Sequence, residues 1–303
     1  MRNSAVNNRA VNNRAVSNRA TSSRAVSGSA ASSPKVKPRH ALQHGWRVAR
    51  ALFACQYALM LEYRAEIVLW ALAGMVPFIM LAVWIESPAG AAMGMGPTQL
   101  ARYFLAAFVV RQFTVAWVMT VFEEDALQGR LSPMLLQPLH PFWRYLASHV
   151  AEQATRLPFV VLIASLFFLV LPWAFWLPTP QRALLTLAAT FLAFVLNFLI
   201  QCTMACMCFW SDRVNALERL IYIPMLFLSG TAAPLDAFPP ALRRIAEATP
   251  FPLLVNFPAQ LLSGGEVQIT AGFTALAIWI TGLFLLMTLL WRIGVKRYGA
   301  MGA

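Results

Sequence analysis

The sequence predicts an all-α polytopic membrane protein: six transmembrane helices, an N-terminal interface helix and a re-entrant helical pair before the last span. Three observations lead there. Of 303 residues, 59% are hydrophobic and only 12% charged, whereas soluble domains carry roughly 25% charged residues. Mean hydropathy is +0.61. Apolar runs of about 20 residues recur along the chain, the length that crosses a hydrocarbon core of ~30 Å.

Residues 1–40 form the first predicted unit, a basic tail with a five-residue repeat that places Arg at 9, 14, 19 and 24. It offers too little apolar surface to offset the entropy of ordering, so disorder is expected. No apolar core region follows it, so a cleavable secretory signal is not expected. Two readings stand: an organelle transit peptide, which shares this Arg- and Ser-rich make-up, and a cytosolic tail beside anionic lipid. The formal net charge of +12 is concentrated here: residues 1–50 hold ten Lys/Arg and no acid. Without interleaved aromatics, the excess does not point to nucleic acid.

Residues 41–64 are the second unit. Leu42, Trp46, Phe53, Tyr57 and Met60 share one helix face. Such a helix lies in the membrane interface, apolar side down, or simply leads into the first span.

Residues 65–303 form the third unit, with spans at 67–85, 103–122, 157–177, 183–210, 217–235 and 268–293. Pro77 is a kink candidate in the first, and Pro224, Gly230 and Pro234 interrupt the fifth. With both termini inside, 19 Lys/Arg lie on inside segments and four outside, with Arg111 within a span. That bias orients the chain with both termini cytosolic in the plasma (inner) membrane.

Between spans two and three, residues 121–144 carry three acids, two Arg and three Pro. An ionised group at the bilayer centre costs about 3 kcal/mol or more, so this stretch reads as a water-facing loop. Glu123, Glu124 and Asp125 suit the positive start of a short helix. Gly129 offers a stop, and Pro133, Pro138 and Pro141 discourage continuation. The loop is either a docking surface for a soluble partner or a plain solvated connector.

The segment before the last span reads as two short helices. Pro239 and Pro240 open the first, which carries Arg243 and Arg244; the second is largely apolar, with Asn256 and Gln260. It is too short to span and too apolar for a free loop, which suits a re-entrant pair.

Motifs for chemistry are missing. There is no G-x-x-x-x-G-K-[ST], no H-E-x-x-H and no G-x-S-x-G. Cys202 and Cys206 sit four residues apart without further Cys or His at ligand spacing, so no metal is expected. Arg111 is the costly group inside a span. It is either a pathway or interface arginine, together with Gln112, or a structural partner of a carbonyl or acid. Asn197 and Gln201 share a face of the fourth span and read as interhelical hydrogen-bond donors and acceptors. A secondary transporter would show acids or repeated broken helices near the midplane. An intramembrane enzyme would need a nucleophile and base at matching depth.

Two stretches carry a family resemblance. Residues 227–250, Phe-Leu-Ser-Gly-Thr-Ala-Ala-Pro through Glu-Ala-Thr-Pro, are similar to the segment that closes span five in the membrane subunits of ABC-2 type exporters. Residues 123–138, Glu-Glu-Asp-Ala-Leu-Gln-Gly-Arg-Leu-Ser-Pro-Met-Leu-Leu-Gln-Pro, resemble the cytosolic coupling segment of that family. The tail from Trp291 resembles that of an uncharacterised permease branch. This resemblance implies a permease without enzymatic activity, whose energy comes from ATP and Mg on a separate ATP-binding subunit. It implies two such subunits, and a second permease chain, identical or homologous, in contact with membrane lipid. It implies an ATPase-coupling role for Glu123, Glu124, Asp125, Gln128, Gly129, Arg130 and Leu131. A membrane assembly factor without transport activity is the alternative, because docking loops serve scaffolds too.

Overall fold

A computed structural model of the chain describes residues 38–62, 69, 74–86, 95–211 and 214–301. The repeat tail, and most of the first predicted span before Val76, lie outside the described residues. Every regular element described is helical.

α1 covers Pro38–Glu62, and within it Phe53 stacks on Tyr57 at 5.8 Å. α2 is Val76–Glu86. Pro77 stands in the first turn of this described helix, where a missing N–H costs nothing.

The second span departs from expectation. The sequence predicts one helix over 103–122; the structure has two, α3 at Pro97–Thr114 and α4 at Val118–Leu127. Val115 is extended (φ −69°, ψ 137°), and α4 resumes after Trp117. Neither Pro nor Gly marks this break.

The acids also stand elsewhere than predicted. They do not open a helix at its N-terminus; they fall in the last turns of α4, and Glu123 and Asp125 are buried. Beyond them the chain makes a turn through Gly129 and then α5 at Leu131–Leu135, with Pro133 inside it. Gly129 adopts φ 72°, the left-handed conformation that ends helices and that glycine takes without strain.

α6 runs Pro141–Val170, sixteen residues earlier than the predicted third span at 157. Pro141 is at its start and His140 caps it, Nδ1 accepting from the Phe142 N–H at 3.3 Å. Proline here starts a helix, as its fixed φ allows. α7 covers Pro180–Ala205, opened by Thr179, whose hydroxyl accepts from the Arg182 amide, and extended by a 3₁₀ turn at Cys206–Phe209. α8 is Asn215–Leu228, shorter than the predicted 217–235. It ends before Gly230, whose φ of 88° and contact with Tyr103 leave no room for a side chain. α9 is Pro240–Glu247 and α10 is Asn256–Ser263, so the predicted pair of short helices is present. α11, Ile269–Met301, runs beyond the predicted end at 293.

Among the described residues, four stretches are long and apolar enough to cross a membrane: Pro97–Leu127, Pro141–Val170, Pro180–Phe209 and Ile269–Tyr298. Of their most apolar windows, 61% is buried for the first and 56% for the third, against 6% for the last. The α3–α4 unit and α7 are therefore central, while α11 presents most of its apolar surface outward. α7 packs on α3, α4, α10 and α11. A large core gathers Tyr103, Phe104, Phe108, Leu196 and Phe257; a second, aromatic core gathers Phe122, Phe142, Tyr145 and Phe209 at the acid-bearing end.

Candidate functional site

The acid-bearing turn divides its three carboxylates between inside and outside. A negative side chain near a helix C-terminus opposes the helix dipole, so each needs compensation from elsewhere. Glu123 takes it from another helix: its Oε2 accepts from the Val214 and Asn215 amides, both at 2.7 Å, and its Oε1 accepts from Asn215 Nδ2 at 3.0 Å. It thus caps the start of α8 in trans, supplying what no local side chain provides. Asp125 accepts from the Tyr145 hydroxyl at 2.8 Å and from Arg130 Nε at 2.6 Å. Glu124 is exposed and accepts from Arg130 Nη2 at 3.2 Å and from Gln128 Nε2 at 2.9 Å. Arg130 also bonds Gln128. Hydrogen bonds from Arg130 to Asp125 first, and Glu124 second, raise its pKa above the usual arginine range. Leu131 is fully buried and anchors the turn, whereas Leu127 (60% exposed) and Leu136 (88%) project with Gln128 and Gly129.

α11 clasps this turn. Trp291 lies 4.4 Å from the His140 ring and 4.9 Å from Phe142, and the Tyr298 hydroxyl is 2.9 Å from Ser132 Oγ. Desolvation beside these rings lowers the His140 pKa, which keeps Nδ1 free to accept from the Phe142 amide.

The helix break forms a second polar centre. Breaking a helix at membrane depth frees carbonyls and amides that water cannot reach, and such breaks persist only where protein groups replace it. Here two neighbouring helices do so. Gln153 Nε2 donates to the Phe113 carbonyl at 2.8 Å and Asn197 Nδ2 to that of Thr114 at 2.8 Å; Arg156 lies 3.5 Å from the Gln112 carbonyl. On the far side, the Trp117 amide donates to His149 Nε2 at 2.7 Å and the Met119 amide to Gln201 Oε1 at 3.1 Å. His149 Nδ1, 2.7 Å from the Tyr145 carbonyl, must then carry the ring proton. Arg156 also pairs with Glu152.

Arg111 sits in the last turn of α3, just before this break, rather than midway along an unbroken span. Among the described residues it meets neither a carbonyl nor an acid: Nη2 donates to the Tyr222 hydroxyl at 3.0 Å. Glu218, one turn earlier on α8, accepts from Thr120 Oγ1 at 2.7 Å and from Gln201 Nε2 at 3.4 Å. A small cleft of about 40 Å³ lies between them, lined also by Asn197, Ile200 and Met225.

A family model described as an ABC-2 family transporter protein matches residues 93–302. The chain belongs to the ABC-2 transporter family. No curated protein matches it. Family membership makes this a permease-type, multi-pass membrane protein and implies association with an ABC ATP-binding subunit.

Within this ABC-2 chain the residues singled out from sequence fall into three groups. Glu123 to Leu131 form one surface, with Glu123, Asp125 and Leu131 turned inward. Arg111, Asn197 and Gln201 meet at the break. Gln112 is buried beside them, its side-chain nitrogen without a hydrogen-bond acceptor among the described residues. The third group is remote from both: Arg243 bonds Glu247 at 2.8 Å and Asp236 at 3.1 Å, and Arg244 Nε donates to the Pro240 carbonyl at 3.3 Å. Asn256 is buried, its Oδ1 2.9 Å from the Tyr103 hydroxyl, which also lies 2.8 Å from the Gly230 carbonyl. Pro239 caps α9 and Pro240 is its first residue. Among the described residues no cluster of His, Cys, Asp or Glu could hold a metal, and Cys202 and Cys206 are free thiols.

Sequence reasoning missed Tyr145, His149, Gln153, Glu218 and Tyr222. One signal for the last two was available: Glu218 and Tyr222 stand four apart on one face of a largely apolar helix.

Proposed function

We propose that this chain is the membrane-spanning half of an ATP-driven exporter that moves an amphipathic substrate out of the cytosol or the inner leaflet. Two copies, or this chain and a homologue, would assemble with two ATP-binding subunits, each carrying the ATP and Mg that the permease itself does not bind. The chain would perform no covalent chemistry. Both termini would be cytosolic in the plasma membrane. Of the six spans, the first would end in α2. The fifth would consist of α8 and the turn beyond it, with α9 and α10 re-entering from the outside.

One observation carries the reading. The segment Glu123–Arg130 offers an exposed surface, with Leu127 and the nearby Leu136 as apolar contacts, while its buried acids are bonded to two different helices. Glu123 reaches α8 and Asp125 reaches α6, so a push on the turn would be felt in both. A solvated connector would have no use for buried carboxylates.

The test is co-purification with the ABC ATP-binding subunit that assembles with this chain. Leu127→Glu combined with Glu124→Lys should lower recovery of that subunit about tenfold, the effect of roughly 1.4 kcal/mol, while insertion is unchanged. Undiminished recovery would refute the docking role.

A further inference from the structure

The cleft at the helix break is lined by charges of both signs, neither of them in a direct ion pair among the described residues. They are Arg111 and Glu218, both half-buried. Desolvated charges are normally paired. Arg111 Nε is buried without an acceptor, and Asn197 Oδ1, on a side chain only 5% exposed, is buried without a donor. Both residues face the same space. The site therefore presents an unfilled cationic donor, an unfilled neutral acceptor and a carboxylate. Arg111 meets α8 at Tyr222 and Glu218 lies four residues earlier, about 6 Å along the axis at 1.5 Å per residue. Ile200, Met204, Ile221 and Met225 supply apolar wall, beside the polar Gln201 and Tyr222.

We propose that this cleft recognises a zwitterionic head group, its phosphate or carboxylate at Arg111 and its ammonium at Glu218 and Asn197 Oδ1, with an apolar chain running along α8. A purely anionic ligand would leave Glu218 uncompensated, and a purely cationic one would leave Arg111 so. The present cleft of about 40 Å³ has room for a few waters, each needing ~10–15 Å³ of such space, and not for a head group. The head group therefore enters only as α8 moves away. Beyond its capped start α8 is loosely packed: none of its residues is fully buried, and Leu220, Ile223 and Phe227 are exposed. The inference deepens the export reading, on which it rests for its transport meaning, by naming the substrate class.

Binding is measured on the full chain alone in dodecyl maltoside micelles, so that no ATP-binding subunit enters the result. The probe is radiolabelled dioleoyl-phosphatidylethanolamine, with dioleoyl-phosphatidylglycerol as the anionic comparison. Arg111→Gln and Glu218→Gln should each weaken phosphatidylethanolamine retention about tenfold, the loss of one charge-assisted contact. Arg111→Lys and Glu218→Asp should restore most of it, which separates recognition from misfolding. Competition by free phosphoethanolamine at matched concentration would assign the site to a soluble zwitterion; failure to compete would assign it to lipid. Equal retention of phosphatidylglycerol, or no change in either Gln variant, overturns the proposal. Failure of the co-purification test, with lipid retention intact, would remove the export reading and leave the head-group site standing.

Discussion

Glu123 shows how one carboxylate can join two parts of a membrane protein. Alone at the end of α4 it would oppose the dipole of its own helix; set against the first amides of α8 it complements that of another. Three accepted hydrogen bonds, all at 3.0 Å or less, make it a rigid link rather than a solvated charge. Glu123→Ala should therefore destabilise the folded chain by about 2–3 kcal/mol, because two amides of α8 lose their acceptor. Glu123→Gln keeps one carbonyl oxygen and should cost about half as much. Thermal unfolding in detergent reads both, and an alanine variant as stable as the parent would show that water replaces the cap. Charge reversal across all three acids, by contrast, does not isolate docking. Of the three, Glu124 is exposed, paired only with Arg130 and Gln128 of the same turn, while Glu123 and Asp125 would fail structurally first.

At the scale of elements, the break between α3 and α4 is the feature most dependent on its neighbours. A largely apolar run without Pro or Gly reads as continuous helix, because its β-branched Thr114, Val115 and Val118 disfavour helix only weakly. The reason lies on α6 and α7, whose Gln153, Asn197, His149 and Gln201 offer the freed backbone better partners than a strained helix would. Asn197→Leu and Gln201→Leu should each cost about 1–3 kcal/mol by orphaning a buried carbonyl or amide. Thr203→Val is the matched comparison: its hydroxyl bonds only the Leu199 carbonyl of its own helix, and stability should hardly change. If all three behave alike in denaturant titration, the break is not supported from α7. Other boundaries are legible in the residues. Pro180 and Pro240 open helices and Gly129 and Gly264 close them, because fixed φ and left-handed φ are properties of those residues themselves. Pro141 shows the ambiguity of that signal: the same fixed φ that discourages a continuing helix also starts a new one, and here it starts α6.

Across the whole molecule, the aromatic clasp of α11 on the acid-bearing turn and the remote knot of Tyr103, Gly230 and Asn256 tie down two separate regions. The proposed topology, which follows the Lys/Arg bias, would put the first in the cytosol and α9 outside. With Cys55 replaced by Ser, a cysteine at Gln128 should react with a membrane-impermeant maleimide only after the membrane is opened. One at Glu247 should react in intact cells. The reverse pattern would invert the topology and remove any contact with a cytosolic motor. Composition and hydropathy were enough to establish a helical membrane protein, because solvation by lipid acts on each residue independently of its partners. Which acids face inward, where the second span breaks, and that Arg111 and Glu218 share one cleft were settled by packing. Those outcomes depend on hydrogen-bonding groups 80 or more residues away in some cases, as with Glu123 and Asn215, separated by 92, and no local pattern encodes such a meeting.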